Sequence, residues 1–214
     1  MSASQHARRE RFELAELLLS TGPDAPTLCE GWTTRDMAAH LVIRESRIDA
    51  EPGIVLPPFA GWTERVQRSA ATRSYPELVR AVRTGPPTLS VFSIPGMDSL
   101  GNLFEYVVHH EDVLRAQPDW QPRTLPADLS DEIWNRLRRM ARLMYLRMPV
   151  GVTLVRTDGS GGTVVAKDAR PMVTLTGTAL ELLMRSYGRR VTQVEVTGDP
   201  QAVQTFESSA ILAV

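Results

Sequence analysis

The sequence predicts a mainly α-helical chain that ends in a small α+β block. Three features carry this prediction. Apolar residues recur at helical spacing through the first two thirds, short β-rich runs replace them from Val150 onward, and 214 residues suffice for two compact domains. Helices first and strands later mean two segregated units. Their boundary falls near Met148–Gly151, giving a helical domain over 1–149 and a small α+β domain over 150–214.

The first helix covers residues 5–20, where Leu14, Leu17 and Leu18 lie at helical spacing among Arg11, Glu13 and Glu16. His6 falls at its fraying end and reads as a surface residue. A Pro/Gly break follows at Thr21–Pro26. Thr33 and Asp36 form a capping pair, a Thr three residues before a carboxylate, for a second helix that runs towards Ile48. Residues 51–58 read as a loop and Trp62–Ala71 as a helix. Ser74, Pro76 and Glu77 announce a short helix, with proline in the first turn and glutamate at the third position. Residues 85–96 are a connector. A long helix then starts at Asp98 or Ser99 and reaches Ala116, stopped by Pro118, and another spans Ala127–Arg147.

Beyond Val150, the runs Val152–Arg156 and Thr163–Lys167 are strands joined by a hairpin at Asp158–Gly162. The glycines there are no phosphate loop, because no helix follows them. Met172–Leu175 is a third strand, Thr178–Tyr187 a helix closed by Gly188, Gln193–Thr197 a fourth strand, and 199–208 a last short helix.

Composition narrows the function classes. Hydrophobic residues make up 43 % and charged residues 23 %, so a folded globular chain is expected. A net charge of −1 with no clustered basic face argues against nucleic acid as the partner. The one cysteine, Cys29, leaves no disulfide framework and no multi-cysteine zinc site. The N-terminal stretch lacks the order of a secretory signal, and no apolar run is long enough for a membrane span. The expectation is a cytoplasmic protein without a membrane partner.

Glu105 and His109 stand four apart on one helix and so share a face. His40 lies on another helix, four residues after Asp36. Two imidazoles and a carboxylate suit zinc, nickel or another late first-row divalent ion. Three protein ligands would leave a position for water or substrate. Asp36 and Asp112 are candidates to orient an imidazole from behind. The same residues also fit a reading without metal. Leu100, Leu103, Phe104, Val107, Val108 and Leu114 form an apolar stripe, with Glu105, His109 and Asp112 roughly opposite it as a polar face stabilised by Glu–His pairs.

A resemblance separates the two readings. Cys29-Glu-Gly-Trp-Thr-Thr-Arg-Asp-Met-Ala-Ala-His40-Leu resembles the signature of the DinB-like, maleylpyruvate-isomerase N-terminal family: Gly-Trp, a capping Thr or Ser, an acid, and a His on the second bundle helix. Glu105-Tyr-Val-Val-His109-His110-Glu-Asp112 is similar to that family's later helix. Thr176–Arg190, followed by Val196-Thr-Gly-Asp199-Pro-Gln-Ala-Val203, resembles the sterol-carrier-like C-terminal domain that accompanies it. The likeness covers most of the chain and points to an uncharacterised metal-binding branch, not to the isomerase itself.

The resemblance implies a DinB-like four-helix bundle with a sterol-carrier-like domain behind it, and a divalent metal, zinc or nickel first, on His40, Glu105 and His109. His110 is turned about 100° from His109 and is the lesser candidate. Relatives use the thiol mycothiol as co-substrate, so the implied function is a metal-dependent thiol transferase or isomerase acting on a small electrophile. A non-catalytic metal-binding module and a metal-dependent hydrolase are the alternatives. A homodimer stays open, since many bundle relatives dimerise. Cys29 reads as a small residue at a helix entry or as a reactive thiol. Trp32 reads as a packing staple first and as a substrate-stacking ring second, and Arg189 and Arg190 as a surface pair or an anion contact.

Overall fold

The computed structural model describes residues 1–46, 69–85 and 97–211, and only the backbone at Ser46 and over 97–101. It is mainly helical with a four-stranded mixed sheet. Two compact units divide it, Met1–Pro122 and Arg123–Val214. The loop expected at 51–58, most of the helix expected at Trp62–Ala71 and the connector after Gly85 lie outside the described residues.

In the first unit α1 covers Ala3–Thr21. Ser2 and Gln5 close its N-terminus reciprocally: each side chain accepts the other residue's backbone N–H, at 3.3 and 2.7 Å. Gly22, at φ 84°, ends it in a conformation that side chains resist. The helix buries Ala7, Leu14, Ala15 and Leu18 at i, i+7, i+8 and i+11, and also His6 and Glu10. His6 is therefore no frayed surface residue. The Ser2 cap carries the helix past it, and its side chain turns inward.

Helix α2, Thr34–Ser46, starts as its sequence predicts. Asp36 Oδ2 accepts from both the Thr33 N–H, at 2.9 Å, and the Thr33 hydroxyl, at 2.7 Å. Helix α3, Tyr75–Thr84, has the anticipated cap, with the Ser74 N–H donating to Glu77 at 3.3 Å. Its apolar face, Leu78, Val79 and Val82, packs on α1 and α2, and the Tyr75 hydroxyl donates to the Leu18 carbonyl at 2.7 Å.

Helix α4, Met97–Leu114, packs along α1. Leu103, Phe104, Val107 and Val108 are buried as the stripe required. So are Asn102, His109, His110, Glu111 and Asp112. Opposite the stripe, Asn102, His109 and Asp112 are enclosed and Glu105 keeps 20 % exposure, so that face is largely interior; His110 and Glu111 lie beside and within the stripe. A polar residue enclosed in this way needs a partner, because burial without one is costly.

The second unit opens with α5, Ala127–Met144, whose face Leu129, Ile133, Trp134, Leu137 and Ala141 follows a four-residue rhythm. It packs against the sheet and against α6. That burial places α5 with the sheet, so the compact units part at Pro122 and not at 149. The change of periodicity at Val150 marks the step from helix to strand within one core. Strands β1 (Gly151–Arg156), β2 (Gly162–Lys167), β3 (Met172–Gly177) and β4 (Glu195–Gly198) stand in the order β2-β1-β3-β4. The first pair is an antiparallel hairpin, β1 and β3 run parallel, and β3 and β4 are antiparallel.

Alternate residues of β1 and β3, Val152, Leu154, Val173 and Leu175, are buried, as a half-covered sheet requires. Helix α6 (Ala179–Ser186) is capped by Thr178 and followed by Gly188 at φ 79°. Helix α7 (Pro200–Ser208) is capped by Asp199. No helix among the described residues is long and apolar enough to cross a membrane.

Candidate metal centre

Three of the residues singled out in the sequence converge in the first unit. Glu105 Oε1 lies 3.2 Å from His40 Nε2 and 3.1 Å from His109 Nε2. Helix α4 brings Glu105 and His109 together through their one-turn spacing, and α2 supplies His40. One ligand atom from each lies within 4.8 Å of those of the other two. The two imidazole rings meet edge to face, with centroids 5.3 Å apart.

These separations test whether a metal fits. Tetrahedral ligands at ordinary Zn–N and Zn–O bond lengths stand about 3.3 Å apart. The two Glu105 edges are already near that value. The donor set, two nitrogens and one carboxylate oxygen, is one that zinc and its late first-row neighbours accept. The side chains of His40, Glu105 and His109 retain 12, 20 and 11 % exposure, whereas that of Asp112 has none. The first three keep a narrow contact with solvent, and the residue behind them has none.

Asp112 sits behind His109. Its Oδ2 is 3.0 Å from His109 Nδ1, which fixes the ring with Nε2 turned towards Glu105. This is the carboxylate–histidine arrangement that holds a ligating imidazole in one tautomer. The Cys29 thiol donates to the same Asp112 oxygen at 3.4 Å, and the Leu28 N–H donates to the Asp112 carbonyl at 2.9 Å. The loop before α2 is thereby anchored to α4. Asp36, the other candidate for this supporting role, is engaged elsewhere: its carboxylate bonds Thr33 at the start of α2. Its place three residues into the helix makes it a cap.

Electrostatics follow this geometry. Burial disfavours a charged Glu105, but its hydrogen bonds to His109 and His40 and the nearby Arg44 outweigh burial and hold the carboxyl well below its usual range. Burial lowers His40 more than its Glu105 bond raises it, which favours the neutral ring a metal needs. Burial also opposes charge on His109. There the contacts to Asp112, Cys29 and Glu105 prevail and push the imidazole well above its ordinary value.

Two neighbours were not assigned to the site from sequence. Arg44 Nε stands 3.4 Å from Glu105 Oε1, and the Trp32 ring lies 5.0 Å from the His40 ring, tilted by 53°. Arg44 follows His40 by one helical turn, and that spacing was the available signal. Trp32 thus packs on a candidate ligand. In the second unit, Arg190 meets Glu207 at 3.2 Å and Arg189 donates to the Tyr187 carbonyl at 2.8 Å. Both engage local partners.

Searches against protein-family models, curated proteins and solved structures return no match for this chain.

Proposed function

We propose that the protein binds a divalent metal, zinc or nickel first, on His40, Glu105 and His109, and uses it as a thiol transferase or isomerase acting on a small electrophile. The observation that carries the reading is the convergence of these three side chains on one point, with Asp112 orienting His109 from behind. The sequence likeness to the DinB-like, maleylpyruvate-isomerase family supplies the thiol, of mycothiol type. It also supplies the finer fold: a DinB-like bundle for the first unit and a sterol-carrier-like domain at the C-terminus. The four helices described in the first unit are compatible with such a bundle.

In this reading His40 presents a neutral nitrogen, Glu105 contributes the anionic oxygen, and His109, whose contacts favour its charged form, would release its Nε2 proton to an incoming ion while Asp112 fixes the ring. Trp32 screens one side of His40 from water. A bound ion would act as a Lewis acid that favours the thiolate form of a coordinated thiol at neutral pH. Arg44 offers a positive charge near the same oxygen and could hold an anionic group of the electrophile. A metal-binding module without catalysis is the second reading. It is favoured by the same Arg44 contact, in which the guanidinium occupies Glu105 from one side.

Elemental analysis of the purified protein beside a His40→Ala, Glu105→Ala, His109→Ala variant tests the site. The expected result is that the variant loses about one equivalent of metal relative to the wild type. Cobalt-substituted protein should then change its visible spectrum on adding a low-molecular-weight thiol. Equal metal content in the two proteins overturns the site. Metal without any thiol effect, and without adducts across a panel of electrophiles, leaves the binding module as the function.

A further inference from the structure

Helix α4 carries a second histidine that the candidate centre does not use, and it faces the other way. His110 looks towards α1, where Glu10 and Glu13 lie one turn apart. Single ligand atoms from Glu10, Glu13 and His110 fall within 4.8 Å of one another, with Glu10 and His110 buried. The His110 side chain is 8 % exposed, and its Nδ1 is sealed from solvent 3.4 Å from Glu10 Oε2 without forming a hydrogen bond. An imidazole nitrogen enclosed in this way is costly unless a lone-pair acceptor or a proton acceptor satisfies it.

We propose that this α1–α4 seam is a second divalent-cation site, with Glu10, Glu13 and His110 as ligands. Two carboxylates and one imidazole form a harder donor set than the candidate centre, suited to ions from manganese to zinc. Glu10 and His110 are buried and the Glu13 side chain is 36 % exposed, so a divalent ion would sit at the edge of the seam, reached from the Glu13 side and engaging the enclosed His110 nitrogen. Arg9 holds Glu13 Oε1 at 2.7 Å on the exposed side of α1. His6, buried one turn before Glu10, lines the same face of α1. Because its ligands come from two helices, an ion here also ties α1 to α4.

The test is zinc stoichiometry and affinity on the full-length protein, stripped with chelator and reloaded. Four proteins are compared: the wild type, a centre variant (His40→Ala, His109→Ala), a seam variant (Glu10→Gln, Glu13→Gln) and Glu13→Gln alone. The wild type should take two equivalents and the two double variants one each. Glu13→Gln changes a half-exposed position and keeps α1 intact, so it carries the test should the double seam variant not fold. It should weaken one of the two equivalents by about tenfold or more, whereas Glu16→Gln, an exposed acid on the same helix, should change neither. Chelation should lower the melting temperature of both double variants, each of which keeps one ion that only the folded protein binds. One equivalent that Glu13→Gln loses and the centre variant keeps would support the seam and count against the centre. Two equivalents, or one, bound with unchanged affinity in Glu13→Gln would overturn the proposal.

Discussion

Replacing Asp112 by Asn separates a carboxylate that orients a ligand from one that merely caps a helix. Asp112 has a side chain with no exposure, and its Oδ2 takes contacts from His109 Nδ1 at 3.0 Å and from the Cys29 thiol at 3.4 Å. Asparagine keeps the shape and leaves intact the Leu28 bond to the Asp112 carbonyl, so the loop stays anchored. What changes is the charge behind His109. A ligating imidazole that loses its supporting carboxylate loses about 10–100-fold in metal affinity, about 1.4–2.7 kcal/mol. Asp36→Asn is the control: it removes an acid from the first turn of α2, for a stability cost of about 0.3–1 kcal/mol and no effect on metal binding. Competition with a chromophoric chelator at neutral pH measures the affinities, and denaturant titration measures the stabilities. Unchanged affinity in a folded Asp112→Asn protein would refute the orienting role. An equal loss in Asp36→Asn would show that the affinity follows helix stability and not the position of the His109 ring.

Other outcomes follow from the same geometry. Arg44→Met removes a positive charge 3.4 Å from Glu105 Oε1 and should tighten metal binding two- to fivefold, about 0.5–1 kcal/mol; weaker binding would make Arg44 part of the site's support. In the second unit, burial disfavours a charged Asp158, but its bonds to Arg156, Ser130 and the Ala179 N–H outweigh burial and hold its carboxyl below the usual value. A depressed folded-state value means stability that is present above the ordinary aspartate range and lost as pH falls through the folded value. Asp158→Asn should therefore cost about 1–3 kcal/mol in urea titrations at neutral pH, with the difference shrinking in acid. Burial pushes the Tyr145 hydroxyl up to about 12, so the unfolded chain releases that proton first and stability falls as pH rises from about 10 towards 12. Its neighbour Ser186 donates to the Leu182 carbonyl at 2.7 Å, which leaves Tyr145 to donate to Ser186 at 2.9 Å. Tyr145→Phe should lose about 1 kcal/mol at neutral pH and show a shallower alkaline decline; parallel curves would place the alkaline sensitivity elsewhere.

Local chemistry was legible in the sequence wherever one residue type has a single use. The Thr33–Asp36 and Ser74–Glu77 pairs opened helices where expected, the Gly159–Gly162 turn joined two strands, and Gly188 closed α6, because caps and turns depend on neighbours a few residues away. What lay opposite a helix was not legible. The α4 pattern defines an apolar stripe but does not say whether the facing side meets water, and the structure encloses it. The division into units escaped for the same reason. The apolar spacing of α5 shows that it has a buried face, and only its contacts show that β2 and α6 cover that face. The place of His6 near the start of α1 suggests a frayed end. The Ser2–Gln5 box reverses that expectation, and its two residues stand in the sequence in plain order.

His109 and His110 show why adjacent identical residues need separate arguments. About 100° of helical rotation sends His109 to Glu105 and Asp112 and His110 to Glu10 on α1. Each direction ends in a carboxylate, and each histidine is enclosed. An enclosed imidazole without a partner destabilises the fold, so neither contact is accidental to the stability of α4. The two sides nevertheless differ in access. The His40–Glu105–His109 group retains some contact with solvent and stands beside an aromatic ring and a guanidinium. The His110 group is closed on the side of Glu10 and meets an Arg9–Glu13 ion pair at its exposed edge. Under the proposed function, chemistry on a substrate would fall on the His109 side, and an ion on the His110 side would hold two helices together.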